Sequence, residues 1–586
     1  MKLNKKFLAT TGISEMWDLS AVEMLFLAPW CLSKKENMQL AQRIPHSVIP
    51  SPWTPAIKIK EAADCCYKIY EEILPELSVK LNLMHSVSYP DRYWRVLVGP
   101  WLLHFIEIFY ERYNRIENVF DLFPDAYTFI LPESLCNLSS VDTYDFVSIK
   151  GKATQDYYNL KLFSLIMRYM YPHKTVEKNM CVPPMEFRIF PDSSASKKLF
   201  YGVKIIKDAF LHPDIILSDM YHSNWAQMVS LEFGFRRNSI LFKYFSNVRA
   251  AALNKYAQKE RRKFRLSERF DKFQSLLYSL IPDAIPMCYV ENFRKYKDKV
   301  KIEKVKAVGS AVGWYFNEDF KFFAAESTLK GAKIIDFQHG GGYGTFLSSP
   351  VETISLEKDI FYTWGWRADN SCRTIPLADP YLSRLKDTHK VQKNQVLFIG
   401  AIIHKYLCRF SSTLTPDDIP QYFLNKKKFF YCLDKLVQNK FLYRPYNEIG
   451  WNEVMLIKEM MPEVKIISEG RLVNLMRQAE IVVIDYLGTT NLEAMIINVP
   501  TVWFWDSNVI LIRPEAERYF DLLRDVGVLY NSPEEAARKV NEINDDPLGW
   551  WRDSKIQKAR DLFCSEFALT SNNWRKEWID ALNVYR

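Results

Sequence analysis

Glycine is scarce in this sequence, with 19 residues in 586. Four of them lie in the segment IIDFQHGGGYG, residues 334–344. They follow His339, which is one of only nine histidines. Glycine is most useful where the backbone turns tightly or approaches a ligand closely. The run has neither the Gly-Lys-Ser/Thr of a P-loop nor the spacing of a dinucleotide-binding fingerprint, so both of these phosphate motifs are excluded.

Other absences narrow the class of protein. The ten cysteines contain no C-x-x-C pair, which excludes a zinc ribbon and is typical of reduced thiols in a cytosolic protein. No run of about 18 uncharged apolar residues exists, so no transmembrane helix is expected, and the N-terminal apolar run is too short for a signal peptide. Since H-E-x-x-H, H-x-x-x-H and Asp-x-Asp are all missing, we predict no metal site and no cofactor.

The charge is mildly basic, at +9 over the whole chain. The densest block, KERRKFR at 259–265, is either a solvated helix face or a surface that attracts anions such as nucleotides or membrane lipids. Nothing matches a nucleic-acid-binding signature, so no nucleic acid partner is predicted.

The chain is too long for one hydrophobic core, and two large domains are expected. From about residue 284, strand and helix patterns alternate, with a single helix predicted at FFYCLDKLVQN and strands predicted at AIPMCYV, KAVGSAVGW, AKIIDF, DIFYTW, QVLFIG, FLYR, EVKII, EIVVID and PTVWFW. This βαβ alternation predicts an α/β fold with two Rossmann-like domains facing a cleft. The predicted boundaries are 1–388 for a first domain enlarged by helical insertions, 389–555 for a second, and 556–586 for a helical tail that packs back on the first.

Ligands of such sheets bind at the carboxyl ends of the strands. In the second domain, Asp485 ends a buried strand, Gly488 permits a tight turn, and Thr489 and Thr490 open a helix whose N-terminus suits a phosphate. Glu493 either belongs to this site or forms a capping box with Thr490.

Two further residue groups lie at predicted strand ends. Arg444 either clamps a phosphate or carboxylate with paired donors, or pairs with a nearby glutamate at the surface. His339 follows the strand KIIDF, next to the glycines and near two acids, Asp336 and Glu326. We interpret His339 as a residue of catalysis or donor binding, against the alternative of a packed or capping histidine.

Aromatic residues make up 15% of the chain, which is high. Trp17 and Trp101 could stack on sugar rings, and Arg92 could meet an anionic group. The alternative for all three is packing within an aromatic-rich core.

Several segments taken together resemble a family of large bacterial transferases of surface-carbohydrate biosynthesis. The segments run from residue 7 to about 505, and they are FLATT with LFLAPWC, LVGPWLLHFIEIFYERY, QHGGGYG, TWGW, YRPYNEIGW and DYLGTTNLEAMIINVPTVWFW. The C-terminal half is also similar to the two-Rossmann-domain (GT-B) glycosyltransferases, among them capsule transferases for 3-deoxy-octulosonic and nonulosonic acids, and to CDP-glycerol glycerophosphotransferases.

The resemblance implies a metal-independent glycosyltransferase that moves a sugar from a CMP-activated donor, such as a nonulosonic or octulosonic acid, to a glycan or lipid-linked glycan acceptor. It implies capsule or O-antigen synthesis in the cytoplasm, at the inner face of the membrane. By position, the catalytic residues would be His339 with Asp336 or Glu326 as base or nucleophile. The donor-binding residues would be Gln338, Gly340, Gly341, Gly342, Arg444, Asp485, Gly488, Thr489, Thr490 and Glu493, and the acceptor-side residues Trp17, Arg92 and Trp101.

Two other functions stay open at this point. One is a CDP-polyol phosphotransferase, which leaves phosphorus in its polymer product. The other is a non-catalytic glycan-binding or assembly protein built on a transferase scaffold.

Overall fold

A computed structural model describes residues 5–181, 213–220, 227–228, 231–232, 240–243, 245, 257–261, 264–300, 304–348, 355–368, 373–391, 393–401, 404–411, 414–446 and 449–585. Its strands, numbered in chain order, are β1 (Lys6–Ala9), β2 (Glu23–Phe26), β3 (His46–Val48), β4 (Thr128–Ile130), β5 (Thr175–Glu177), β6 (Ile215–Ser218), β7 (Ile240–Phe242), β8 (Ala307–Ser310), β9 (Lys333–Phe337), β10 (Ile360–Thr363), β11 (Thr374–Pro376), β12 (Val396–Ile399), β13 (Phe441–Arg444), β14 (Lys465–Ile466), β15 (Ile481–Ile484), β16 (Thr501–Phe504) and β17 (Leu529–Tyr530).

The α-helices span Lys35–Ala41, Ile57–His85, Asp91–Leu122, Thr143–Val147, Asp156–Met170, Gln258–Arg261, Lys272–Ala284, Phe293–Asp298, Gly313–Phe316, Glu318–Thr328, Pro380–Leu385, Ile419–Tyr431, Lys435–Lys440, Glu453–Met460, Leu472–Gln478, Thr489–Ile497, Pro514–Asp525, Pro533–Glu542, Pro547–Trp551, Ser554–Phe567 and Trp574–Asn583. Among the described residues, none of the helices combines the length and apolarity that crossing a membrane requires.

The C-terminal sheet has the strand order β14-β13-β12-β15-β16-β17, with every pairing parallel. Counted from its own first strand this is 3-2-1-4-5-6, the Rossmann order, in which successive strands are added on one side of β12 up to β14 and on its other side from β15 onward. The loops that follow β12 and β15 therefore border the crevice where a ligand binds.

The middle sheet has the order β11-β10-β9-β8-β6-β7 and is also parallel throughout. From its own first strand this is 2-1-3-4-5-6, the flavodoxin-like version of the doubly wound fold. The predicted α/β class with two Rossmann-like sheets is thus confirmed.

A third parallel sheet lies N-terminal to these two. Strands β3, β2 and β1 pair in that order, a bridge between Phe7 and Tyr127 joins β1 to the segment that enters β4, and β4 pairs with β5. The sequence pattern predicted helical insertions with isolated strand-like segments here. Strands of three or four residues between long helices carry too little alternation to be recognised as one sheet.

Two secondary-structure predictions were wrong. AIPMCYV, residues 284–290, is not a strand but the end of a helix followed by a 3-10 turn at Met287–Tyr289. The backbone N–H groups of Met287 and Cys288 donate to the carbonyls of Ser140 and Val141. A short apolar run does not distinguish a buried turn from a strand. The single helix predicted at FFYCLDKLVQN is two helices that break between Tyr431 and Lys435.

The long helices form a shared core beside the middle sheet. The Asp91–Leu122 helix is buried over most of its length and packs against the helices Ile57–His85 and Glu318–Thr328. Pro75 does not split the first of these two, which runs unbroken to His85. At the other end of the chain, Trp578 stacks on Phe337 at 5.2 Å between ring centroids, so the last helix lies against the middle sheet.

Candidate active site between the middle and C-terminal sheets

The two predicted glycine loops touch each other across the cleft. The backbone N–H of Gly341, after β9, donates to Oγ1 of Thr489, at the start of the helix after β15, over 3.1 Å. A Cβ on Gly341 would lie 2.6 Å from the carbonyl carbon and oxygen of Gly488, whereas one on Gly340 would meet nothing closer than 3.5 Å. Gly341 therefore lacks a side chain because backbone from the other sheet occupies that space.

His339 lies in a largely aromatic pocket at the end of β9. The hydroxyl of Tyr343 is 2.9 Å from its Nδ1, and the ring of Tyr315 meets it edge-on at 5.9 Å. Burial, together with the positive charge of Arg409, lowers the pKa of His339 to about 3. The imidazole is therefore neutral at physiological pH.

Gln338 fixes the loop rather than facing an open cleft. Its Oε1 accepts hydrogen bonds from the backbone N–H of Trp364 and from Nε1 of Trp366, both at 2.8 Å. Its Nε2 donates to the carbonyl oxygen of Gly340, also at 2.8 Å. The amide thus ties the glycine loop to the end of β10, and this connection positions His339.

A second group of polar residues meets at the same cleft, and no sequence motif predicted it. His104, on the Asp91–Leu122 helix, donates from Nδ1 to the carbonyl of Cys408 over 3.1 Å, and its ring is 5.8 Å from that of Tyr315. Cys408 belongs to the loop after β12, so the ring of Tyr315 contacts His339 and also His104, the histidine that binds this loop. His104 and Glu107 repeat at helical spacing within a buried apolar stretch, which is the one sequence signal that indicates them.

Arg409, in this β12 loop, is exposed and has no hydrogen-bond or ion-pair partner in the described part of the chain. Its positive charge lowers the pKa of His104 and His404 as well as His339, so it lies within electrostatic reach of all three rings. Burial is the main cause of each shift, and the pKa is lowered to about 3 for His104 and about 4 for His404. Among the described residues, Arg409 is thus a cation without a partner, and the three imidazoles that its charge reaches are neutral.

Asp485 lies at the predicted strand end, but its carboxylate is already bound. Its Oδ2 is 2.5 Å from Nζ of Lys426 and its Oδ1 accepts from the hydroxyl of Tyr422 at 2.8 Å, with both charged side chains about 2% exposed or less. Burial raises the pKa of Asp485 and lowers that of Lys426, while each partly offsets the shift of the other. This pair anchors the loop beneath the cleft.

The remaining donor-side residues of this loop have protein partners too. The hydroxyl of Tyr486 donates to Thr490, and that of Tyr381 donates to Glu493, each at 2.8 Å. Burial raises the pKa of Glu493 to about 7. Tyr381 also lines a pocket between the middle sheet and the last helix, so Glu493 connects the helix after β15 to that pocket.

Arg444 leaves the end of β13 as predicted, but its guanidinium donates to backbone carbonyls. The acceptors are those of Ile467, Glu469 and Gly470, at 3.0–3.1 Å. It thus fixes the loop that follows β14, at the same edge of the sheet as Gly488.

The two carboxylates that were predicted to lie near His339 are buried and bind other side chains. Asp336 pairs with Lys358 at 3.0 Å and accepts from Nε1 of Trp314 at 3.1 Å, and burial raises its pKa. Glu326 accepts from the hydroxyl of Tyr93 at 2.9 Å within the helical core. Neither carboxylate forms a described contact with the histidine.

The three proposed acceptor-side residues occupy packing positions. Trp17 donates from Nε1 to the carbonyl of Thr11 over 3.0 Å, Trp101 is fully buried, and Arg92 pairs with Asp359. The structure does not bring these three side chains to the glycine loops. In the described part of the chain, no three His, Cys, Asp or Glu side chains gather closely enough to hold a metal ion.

A family model described as LIC12162 family transferase matches residues 6–582. No curated protein matches the sequence significantly.

Three solved structures illustrate the likeness in overall fold. WaaG, a glycosyltransferase involved in lipopolysaccharide biosynthesis, is 10% identical, with a TM-score of 0.28 over 63% of this chain and 99% of its own. MnaA of S. aureus, solved with UDP, is 9% identical, with a TM-score of 0.37 over 64% and 96%. MurG of Acinetobacter baumannii is 10% identical, with a TM-score of 0.32 over 64% and 100%. Scores this low carry no information on substrate.

Proposed function

Because this chain belongs to the LIC12162 family of transferases, we propose that it is a glycosyltransferase that uses a nucleotide-activated sugar. The transfer takes place in the cleft between the middle and C-terminal sheets. The donor nucleotide binds to residues 389–555, and residues 1–388 supply the acceptor side and His339.

The observation that carries this proposal is the contact between Gly341 and Thr489. It joins the loops at the carboxyl ends of two parallel sheets, which is where doubly wound folds bind their ligands. The N-terminus of the Thr489–Ile497 helix favours the donor phosphate, and the glycine loop lets backbone approach the transferred sugar.

His339 is the proposed base that accepts the proton of the acceptor hydroxyl. A pKa of about 3 makes it a weak base in the empty site, because a general base works best with a pKa near the operating pH. An anionic donor beside the ring raises this pKa, since the imidazolium form gains an opposite charge. Proton acceptance is therefore favoured only when the donor is bound.

The finer assignment is a CMP-activated acidic sugar that is added to a surface polysaccharide such as capsule or O-antigen. It rests on the resemblance of QHGGGYG, YRPYNEIGW and DYLGTTNLEAMIINVP to families that use cytidine nucleotides. A glycan or lipid-linked glycan acceptor and contact with the inner face of the membrane belong to the same proposal.

Thermal denaturation of the purified chain tests the donor assignment. CMP without added metal should raise the melting temperature, because a ligand that binds only the folded state stabilises it. A shift with UDP or GDP and none with CMP would overturn the cytidine assignment and leave the enzyme class intact. Normal surface polysaccharide in cells that carry His339→Ala would instead favour a non-catalytic scaffold.

A further inference from the structure

The loop after β12 holds Arg409, an exposed cation with no hydrogen-bond or ion-pair partner among the described residues. Other cations close to it are paired: Lys405 with Asp156 at 2.8 Å, and Arg112 with Glu111 at 2.7 Å. Lys358, whose charge also reaches His339, is paired with Asp336. Arg409 is the cation left without a partner among the described residues of this region.

Two buried polar atoms near the same loop also lack partners in the described part of the chain; one belongs to His404 of the loop itself and the other to Glu107, which accepts a hydrogen bond from the backbone N–H of Phe410. They are Nδ1 of His404 and Oε2 of Glu107. Glu107 is only 5% exposed, and the charge of Arg409 reaches it, as it reaches His404. Buried polar atoms without a hydrogen bond are rare in native proteins, because each costs free energy until a partner arrives.

The protonation state of Glu107 explains why it does not neutralise the arginine. Burial raises the pKa of this carboxyl to about 8, against the lowering effects of the Phe410 backbone N–H and of Arg409. At neutral pH most of it carries a proton, so it offers an O–H donor rather than a negative charge. His404 is neutral as well, and a neutral imidazole has one N–H to donate.

We infer that Arg409, with the unpartnered polar atoms of His404 and Glu107 as hydrogen-bond donors, binds one oxyanion of the sugar donor. One cation and two neutral donors match a group with one negative charge and several acceptor oxygens. Two groups of a CMP-activated acidic sugar fit: the phosphodiester and the sugar carboxylate. The inference rests on the proposed function for the identity of the ligand, but the anion site can be tested without it.

Isothermal titration calorimetry on the full chain tests the inference with CMP, cytidine and N-acetylneuraminate as probes. The variants are Arg409→Gln and Arg409→Lys, and the control is Arg538→Gln, which removes an equally exposed positive charge from the outer Pro533–Glu542 helix. Melting temperatures check that each variant is folded.

If the phosphate is the bound group, Arg409→Gln weakens CMP binding by roughly tenfold or more and leaves cytidine binding unchanged. If the carboxylate is bound, the same loss appears for N-acetylneuraminate. Arg409→Lys should retain part of the affinity, because it keeps the charge and loses the paired donors. Arg538→Gln should bind like the wild type.

The outcomes separate the two proposals. If Arg409→Gln binds CMP as tightly as the wild type does, and its binding of N-acetylneuraminate is unchanged or absent, the anion site is overturned. The cytidine assignment then still stands. Binding of N-acetylneuraminate alone, lost in Arg409→Gln, keeps the anion site and contradicts the cytidine assignment. Failure of the wild type to bind any of these probes overturns the anion site as well.

Discussion

The backbone N–H of Gly341 and the side-chain oxygen of Thr489 are 3.1 Å apart, and their hydrogen bond joins the loops of two different sheets. Gly341→Ala should lower transfer activity by more than tenfold, because its Cβ would force the Gly488 backbone away and misplace both loops. The free energy of unfolding should fall by about 1–3 kcal/mol, as in other overpacked sites. Initial rates and urea denaturation measure the two effects.

Gly340→Ala is the matched control for this change. Its added Cβ would lie 3.5 Å from Oγ1 of Thr489, which is an ordinary van der Waals distance. We expect near wild-type stability and activity from it. Equal losses from both alanine variants would show that the loop needs glycine for flexibility rather than for the contact with Gly488.

A buried ion-pair network fastens the Asp91–Leu122 helix to the segment that precedes the Ile419–Tyr431 helix. Arg115 is 1% exposed and binds Asp417 at 2.6 Å, and it also binds Glu111. Asp417→Asn should lower the free energy of unfolding by about 2–4 kcal/mol, because it leaves buried positive charge poorly compensated. Urea denaturation measures this loss.

An exposed ion pair that also joins distant segments provides the comparison. Lys35 and Glu459 lie 2.7 Å apart with side chains 52% and 44% exposed. Glu459→Gln should change stability by less than about 1 kcal/mol. If it destabilises as much as Asp417→Asn, burial does not set the strength of these contacts.

Substitution of Asp485 distinguishes a structural role of this carboxylate from direct binding of the donor. Asp485→Asn leaves Lys426 buried without its counterion, which should cost about 3–5 kcal/mol of unfolding free energy. Replacing Lys426 by Met in the same chain should recover part of this loss. A stable Asp485→Asn variant that no longer responds to CMP would instead identify Asp485 as a donor ligand.

The buried histidines of the cleft should make the protein sensitive to acid. His104, His339 and His404 have pKa values lowered to about 3, 3 and 4, whereas an unfolded histidine titrates near 6.5. Below about pH 6.5 the unfolded chain therefore binds protons that the folded chain does not, and stability falls as the pH drops toward 4. Glu107 opposes this trend, since its raised pKa favours the folded state as the pH falls from about 8 to 4.5.

Below pH 6, the free energy of unfolding of His104→Gln should fall less steeply with decreasing pH than that of the wild type. The difference in slope should be up to about 1.4 kcal/mol per pH unit. His173→Gln is the control, because His173 is exposed in a 3-10 turn outside the cleft. Urea denaturation at pH 5 and pH 7 measures both. An unchanged slope in His104→Gln would show that this imidazole is charged in the folded state.

The strand patterns predicted the part of the site that depends on local sequence. A buried strand followed by glycine placed His339 and Gly488 at the carboxyl edges of two sheets, and parallel pairing then determined where those edges lie. The same reasoning predicted that the loops of Gly341 and Thr489 border one cleft. Such predictions succeed because strand ends and tight turns leave a signature within a few residues.

The partners of charged groups were not predictable in this way. His104 binds a carbonyl 304 positions further along the chain. Arg409 is identified only because it has no partner in the part of the chain that the structure describes. Arg444 binds backbone carbonyls, which every residue carries and no sequence pattern reveals. The third sheet was missed for another reason, since strands of three or four residues carry too little alternation to be recognised.

Turnover of nucleotide sugars by the purified protein tests the central claim most directly. Released nucleotide is measured for the wild type and for Gly341→Ala against a panel of CMP-, CDP-, UDP- and GDP-linked donors, with a glycan acceptor present. We predict that the wild type releases CMP from a CMP-linked acidic sugar and that Gly341→Ala does so more than tenfold more slowly. Release from no sugar donor in the panel, or equal rates for the two proteins, would contradict the proposed transfer at this cleft.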